Sequence, residues 1–254
     1  MYIPPFMKFA VKRAILSMGY TIVPASGKPR PDLDGPDKQQ FKACAKAVTG
    51  RHRQQSLDDV EALNRKYREP VFGEMRIWDL VERLSLCVDP TDGRLLNTSQ
   101  YIHVLQILEA MDRDGVQSTE MYVAAMVHDL GKLLLLTSEA PENIVCTNSP
   151  IGDYEPGIGL DNIVTQWNHD EFAYSRLKDY VSDEIAWLIR YHSMDLPTCE
   201  KYMDDRDLRC RDRYFYAFHR YDFGTKSPHR NPGRHYLTDR RDLLESIFPH
   251  PIPF

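Results

Sequence analysis

A histidine followed directly by an aspartate, His128-Asp129, ends an apolar stretch of the sequence. Neither side chain is easily buried alone, because each would lose its hydrogen bonds to water inside a protein. Met121, Ala124 and Ala125 precede His128 by seven, four and three residues, which is the spacing of one buried helix face. Imidazole nitrogen and carboxylate oxygen both bind divalent metals, and a bound ion would offset the cost of burial. The pair therefore predicts a metal site at the end of a buried helix.

Four more histidine or aspartate residues lie in line with the apolar face of a predicted helix. They lie three, four or seven positions from apolar residues: His103, His169, His192 and Asp222. A single histidine on such a face is more often a hydrogen-bonded core residue than a ligand, but the whole set favours a shared metal site. Nitrogen and oxygen ligands without thiolate suit iron, manganese or, with fewer ligands, zinc. Asp129 is the candidate for a carboxylate that bridges two ions.

Helical patterns of hydrophobic residues account for most of the sequence beyond Pro36. Ser56 and Ser182 are residue types that commonly precede the first turn of a helix. Segments in which apolar and polar residues alternate with period two are rare, so few β-strands are expected. The predicted helices cover residues 41–49, 56–66, 77–87, 99–113, 119–136, 160–179, 182–192, 205–221 and 238–246. These patterns predict a mainly α protein.

The 254 residues divide into two unequal parts. We interpret residues 1–36 as an N-terminal amphipathic segment, over 7–23, followed by a Pro- and Gly-rich linker. Residues 37–254 are expected to form one domain that carries the metal site. No apolar run approaches the roughly 20 residues of a membrane-spanning helix.

Charge and cysteine content narrow the classes of function. A formal net charge of −5 argues against nucleic acid as a partner, because a basic surface is missing. The five cysteines show no CxxC pairing, which favours a reducing cytoplasm over a disulfide framework. A small molecule is the expected partner, and the oligomeric state stays open.

Beyond the metal-site residues, a series of motifs resembles the inositol oxygenase family of HD-domain di-iron enzymes. The resemblance runs from about Arg51 to Lys226 and includes Pro150-Ile151-Gly152, Trp167-Asn168-His169-Asp170-Glu171, Arg190-Tyr191-His192-Ser193 and Tyr221-Asp222-Phe223-Gly224-Thr225-Lys226. It implies a helical HD-domain bundle around a dinuclear site with mixed-valent Fe(II)/Fe(III). By resemblance, His103, His128 and Asp222 would bind one iron. His169 and His192 would bind the other, with Asp129 bridging.

The same resemblance implies a reaction and a set of substrate contacts. The reaction would be a four-electron oxidation in which O2 cleaves a C–C bond of a polyol, myo-inositol or a related cyclitol. Lys132 and Lys226 would be catalytic and, with Ser193, would contact the polyol. The family's acidic contact upstream of the first histidine has two candidates here, Asp92 and Asp89. The alternative is that these aspartates only begin turns at Pro90 and Gly93. The family's Gly-Asp pair, which contacts the substrate, reads Cys146-Thr147 here, so Thr147 is the expected substrate contact at this position. The family's N-terminal arginine has no counterpart, and the substrate pocket is therefore altered.

Other functions remain open from the sequence. An HD-type phosphohydrolase would use the same metals to activate water against a phosphate ester, and Lys132, Lys226 and Arg190 could bind the phosphate. A di-iron oxygenase acting on an organophosphonate is a second alternative. A non-enzymatic HD domain that serves as a sensor or scaffold is a third, although such domains usually lose ligands. The sequence leaves the substrate and the metal loaded in the cell undetermined.

Overall fold

The computed structural model of the chain describes residues 36–254. Its helices are α1 (Pro36–His52), α2 (Leu57–Lys66), α3 (Ile77–Arg83), α4 (Gln100–Arg113), α5 (Thr119–Val127), α6 (His169–Leu177), α7 (Asp183–Tyr191), α8 (Leu196–Cys199), α9 (Asp205–Cys210), α10 (Tyr216–Thr225), α11 (His235–Thr238) and α12 (Arg241–Ile247). This architecture confirms the prediction of a mainly α protein. The predictions for the amphipathic segment and for the linker up to its last residue, Pro36, lie outside the described residues.

Polar residues at the helix starts explain where several helices begin. The side chains of Ser99, Ser118 and Ser182 each accept a hydrogen bond from the backbone N–H three residues later. Ser56 and Asp59 form a reciprocal capping box at the start of α2. Each cap satisfies a backbone donor that the helix itself leaves without a partner.

The packing of the helices brings particular helix ends together. The central helix α4 contacts α5, α10 and α11. The helix α7 packs against α5 and α6, and α6 also packs on the 3-10 segment Leu130–Leu136. As a result, the C-terminal ends of α5 and α7 and the N-terminal end of α6 meet beside the inner faces of α4 and α10.

A short sheet ties the C-terminus to the core. The strand β1 (Glu74–Met75) pairs antiparallel with β2 (Ile252–Pro253). Phe254 is fully buried, and its ring meets that of Phe172 in α6 edge to face, with the ring centroids 5.3 Å apart. The proline-rich tail therefore supports the helix that starts at the candidate site.

The predicted helix over residues 119–136 is wrong beyond Val127, because the chain turns at His128 and Asp129 and continues as the 3-10 segment Leu130–Leu136. Gly131 explains the break. A Cβ atom at this position would lie 1.9 Å from the backbone oxygen of His169, so only glycine permits so close an approach.

Other predicted helices differ from the structure in length. The prediction over residues 160–179 is wrong in its first half, where Leu160–Asn162 forms a single 3-10 turn and the helix begins only at His169. The prediction over residues 205–221 misses the π-helical turn Arg211–Phe215 between α9 and α10. The prediction over 238–246 corresponds to α12 and misses α11, of which it includes only Thr238. Among residues 36–254, no helix is both long and apolar enough to cross a bilayer.

Candidate metal centre

The side chains predicted to bind metal converge at the centre of the bundle, and each is at most 3% exposed. They come from α4, from the residues directly after α5, from the start of α6, from the end of α7 and from α10: His103, His128, Asp129, His169, His192 and Asp222. The prediction that these residues face inward is confirmed. The helix ends place the residues of α5, α6 and α7, so the ligands depend on where those helices stop and start.

Backbone carbonyl groups set the protonation of three of the histidine rings. The distance from Nδ1 to a carbonyl oxygen is 3.2 Å in His128, 2.6 Å in His169 and 3.0 Å in His192. Because a carbonyl oxygen only accepts hydrogen bonds, Nδ1 carries the proton and donates it. In the neutral ring, Nε2 then keeps a lone pair directed into the centre, which is the form that binds a metal.

The two carboxylate oxygens of Asp129 face different histidines. Oδ2 lies 3.4 Å from Nε2 of His128, whereas Oδ1 lies 3.2 Å from Nε2 of His169 and 3.7 Å from Nε2 of His192. Lone pairs of nitrogen and oxygen therefore point at each other across these gaps. This arrangement is favourable when a cation lies between them.

Asp222 completes the opposite side of the centre. Its Oδ1 lies 2.8 Å from Nε2 of His103 and 3.9 Å from Nε2 of His128. Within residues 36–254, some groups of three side chains have ligand atoms that all lie within 4.8 Å of one another, and two of these groups share Asp129. One group consists of His103, His128 and Asp129, and the other of Asp129, His169 and His192. The geometry thus offers neighbouring positions for cations on either side of one carboxylate.

Several atoms of the centre have no hydrogen-bond partner within residues 36–254. They include Nε2 of His128 and of His169 and Oδ1 of Asp129, and all three are buried. A buried polar atom without a partner costs about 1–3 kcal/mol. Coordination of a metal would remove this cost, and the set of nitrogen and oxygen donors suits iron or manganese. The residues present therefore fit a metal centre.

Nearby charges keep both aspartates ionised. Burial alone would raise the pKa of Asp129, but the charge of Lys132 is the main factor that outweighs it, and the pKa is held well below its usual range. The pKa of Asp222 is also lowered well below its usual value, because Lys226 outweighs burial. Both carboxyl groups are therefore charged at neutral pH, as a metal ligand must be.

A cavity of about 320 Å³ opens onto the metal-site residues. Its wall contains all the residues predicted to contact substrate: Asp92, Lys132, Thr147, Ser193 and Lys226. Nζ of Lys132 lies 3.0 Å from Oδ2 of Asp129, and Nζ of Lys226 lies 3.5 Å from Oδ1 of Asp222. Both ammonium groups thus lie in the cavity wall beside the carboxylates of the metal centre.

Both candidates for the acidic substrate contact, Asp89 and Asp92, line the cavity. Oδ2 of Asp92 lies 3.1 Å from Nζ of Lys226, and Oδ2 of Asp89 lies 3.6 Å from Nζ of Lys132. Each aspartate therefore orients one of the two lysines.

Asp170 is a buried residue of the centre that the patterns in the sequence did not single out. This buried carboxylate places Oδ1 2.9 Å from Nε2 of His169, and its Oδ2 accepts a 2.5 Å hydrogen bond from the hydroxyl of Ser193. Asp170 therefore links a predicted substrate contact to a predicted ligand. The repetition of the His-Asp dipeptide, His128-Asp129 and His169-Asp170, is the signal that could have identified it.

His52, which sequence patterns leave unassigned, anchors the loop that carries Thr147. The ring is 1% exposed, with Nδ1 2.7 Å from the carbonyl oxygen of Glu142 and Nε2 3.2 Å from that of Thr147. The carbonyl oxygen of Ile144, in the same loop, accepts the hydrogen bond from Nδ1 of His169. One loop thus positions both a cavity residue and a metal-site histidine.

Comparison with known proteins gives consistent matches along the chain. The profile of the family described as Myo-inositol oxygenase matches residues 42–149 and 142–254. Inositol oxygenase 2 of Arabidopsis thaliana is 30% identical over 237 residues, which cover 77% of this chain and 74% of the relative. Probable inositol oxygenase of Oryza sativa subsp. japonica is 28% identical over 237 residues, covering 78% and 76%. Inositol oxygenase of Bos taurus is 22% identical over 213 residues, covering 69% and 74%.

Proposed function

Because this chain belongs to the myo-inositol oxygenase family, as its match along both halves establishes, we propose that it uses O2 to cleave a C–C bond of a polyol at a centre of two iron ions. Family membership makes the chain an oxygenase enzyme. The iron pair, the use of O2 in this reaction and the choice of polyol belong to the proposal, with myo-inositol as the first substrate to test.

The proposal rests on the position of Asp129, because its two carboxylate oxygens face different histidines. We assign His103, His128 and Asp222 to one ion and His169 and His192 to the other, with one oxygen of Asp129 directed to each. When bound, the irons would supply Lewis acidity toward a substrate hydroxyl and redox chemistry toward O2. The burial of these side chains supports the same proposal, because it limits the access of bulk water to the centre and so protects reactive oxygen species from quenching.

We assign Lys226 and Lys132 the role of stabilising the negative charge that develops on the substrate. Nζ of Lys226 lies within 3.5 Å of carboxylate oxygens of Asp92 and Asp222, so its position is fixed before substrate binds. A positioned ammonium group stabilises a deprotonated hydroxyl, and this stabilisation is strong where water is excluded. The other ammonium group, that of Lys132, occupies the equivalent position beside Asp129.

Ser193 and Thr147 are assigned to orienting the polyol. The hydroxyl of Ser193 donates to Asp170 and accepts from the side-chain amide of Asn168 at 3.2 Å, which leaves an oxygen lone pair for a substrate hydroxyl. Thr147 is exposed in the cavity wall and offers its own hydroxyl. A neutral residue at position 147 is compatible with a substrate that differs from myo-inositol.

Two alternatives now rank below the oxygenase acting on a polyol. A phosphohydrolase does not agree with the family, whose matched relatives are named as inositol oxygenases. An organophosphonate as the substrate of a di-iron oxygenase stays testable with the same protein. The cytoplasmic location and the boundary at residue 37 remain predictions.

The proposal is tested by O2 uptake. Protein loaded with iron and partly reduced is mixed with myo-inositol in an O2 electrode cell, and the products are identified by mass spectrometry. We expect O2 consumption in proportion to polyol consumed, with a uronic acid as product. Lys132→Met, which keeps the length of the side chain but removes its charge, serves as the variant expected to lose uptake. Absence of uptake with every polyol tested, at full iron loading, would contradict the proposal.

A further inference from the structure

Arg94 differs from the two lysines of the cavity wall, Lys132 and Lys226, because none of the carboxylates in residues 36–254 forms an ion pair with its side chain. Lys132 and Lys226 each lie close to a carboxylate oxygen, at 3.0 and 3.1 Å. The side chain of Arg94 is exposed, and its one hydrogen-bonded nitrogen, Nη1, donates to the backbone oxygen of Phe223 at 3.2 Å. The positive charge of Arg94 is therefore not neutralised by a carboxylate of residues 36–254.

The guanidinium group of Arg94 is nevertheless held in place. It lies over the ring of Phe223, 5.5 Å from the ring centroid, and Phe223 directly follows Asp222 of the metal centre. Both Phe223 and Arg94 line the cavity. Nε and Nη2 of Arg94 keep N–H groups that no atom of residues 36–254 accepts. A guanidinium group fixed in this way presents a fork of donors that matches the oxygens of a phosphate or a carboxylate.

We propose that the polyol oxidised by this enzyme carries an anionic oxyacid group, a phosphate or a carboxylate, which Arg94 binds at the mouth of the cavity. This inference rests on the proposed function and specifies its substrate class. Hydroxyl groups of the same molecule would face Lys226 and Ser193, deeper in the cavity. The neutral hydroxyl of Thr147, in the same wall, does not repel an anion as a carboxylate would.

Equilibrium binding without turnover tests the inference. Iron-loaded protein is titrated by calorimetry in the absence of O2 with myo-inositol, an inositol monophosphate, gluconate and its neutral counterpart glucitol. We expect one anionic compound to bind about tenfold tighter than its neutral counterpart, which corresponds to one charge-assisted hydrogen bond. The phosphate pair and the carboxylate pair show which anion is preferred. Arg94→Gln is expected to abolish the preference, and Arg94→Lys to retain part of it.

Arg113→Gln is the matched control, because Arg113 is an exposed arginine outside the cavity that pairs with Asp114. It should keep the preference of the wild type. Equal affinities for charged and neutral polyols would overturn the inference. So would a preference that survives Arg94→Gln, since the anion would then bind elsewhere, for example to the irons. O2 uptake distinguishes failure of this inference from failure of the oxygenase proposal. Oxidation of neutral and anionic polyols at equal efficiency refutes the inference alone. Preferred binding of an anion through Arg94 without any O2 uptake refutes the oxygenase proposal alone.

Discussion

Asp129→Asn is the substitution expected to weaken both ion positions at once. Oδ2 of Asp129 lies 3.4 Å from Nε2 of His128 and Oδ1 lies 3.2 Å from Nε2 of His169, so each oxygen serves a different position. Asparagine keeps the size of the side chain but has a single oxygen and no charge. Loss of a charge-assisted contact of about 1.5–3 kcal/mol at each ion gives a total of about 3–6 kcal/mol. This total corresponds to roughly 10²–10⁴-fold weaker binding of the pair.

Iron content after gel filtration, together with the Mössbauer spectrum, measures this effect. We expect the wild type to retain an ion pair and Asp129→Asn to retain neither ion. Asp222→Asn is the matched control, because the histidines that lie nearest to Oδ1 of Asp222 are His103 and His128, which are both assigned to one ion. This variant should therefore keep the other ion. Circular dichroism verifies that all three proteins are helical. If Asp129→Asn held as much iron as the wild type, with an unchanged spectrum, the bridging assignment would be wrong.

Three further substitutions test the surroundings of the metal centre and the stability of the fold. Lys226→Ala should keep the iron but lower kcat about 100-fold, because an ammonium group beside the substrate is lost; unchanged turnover would exclude Lys226 from the reaction. His52→Asn should raise KM for the polyol, since the Glu142–Thr147 loop loses its anchor; an unaltered KM would show that the loop is held otherwise. Burial raises the pKa of Glu139, but hydrogen bonds from Lys66 and Tyr67 outweigh it and lower the pKa to about 2. The ionised Glu139 thus stabilises the fold above its unfolded pKa, and this stability is lost from about pH 5 toward pH 2. Thermal melts should show a shallower loss in Glu139→Gln, and equal pH slopes would refute the assignment.

The inward direction of the metal-site residues could be predicted because burial leaves a local pattern in the sequence. Apolar residues three, four and seven positions from His128 and from His192 mark the buried side of their own helices. The pattern needs no knowledge of what the helix packs against. The resemblance to a known family then related the separate residues to one centre, which periodicity alone does not do.

Contacts between distant parts of the chain could not be predicted in this way. The chain turns after Val127 where Gly131 packs against the backbone of His169, and the sequence around Gly131 does not show which distant segment it will contact. The partners of His52 lie 90 and 95 residues away, and the carbonyl group that holds Arg94 lies 129 residues away. These positions follow from tertiary packing, so their roles became visible only in the folded chain.

Isotope labelling with 18O2 determines whether the enzyme inserts oxygen from O2 while it breaks a C–C bond. Iron-loaded, partly reduced protein is given a polyol under 18O2 in ordinary water, and the product is analysed by mass spectrometry. An oxygenase that cleaves a C–C bond predicts a ring-opened acid that carries 18O from O2 in its carboxylate. A product whose new oxygen comes only from water, or an unbroken carbon skeleton, would contradict the account and indicate a hydrolytic or simple oxidising enzyme.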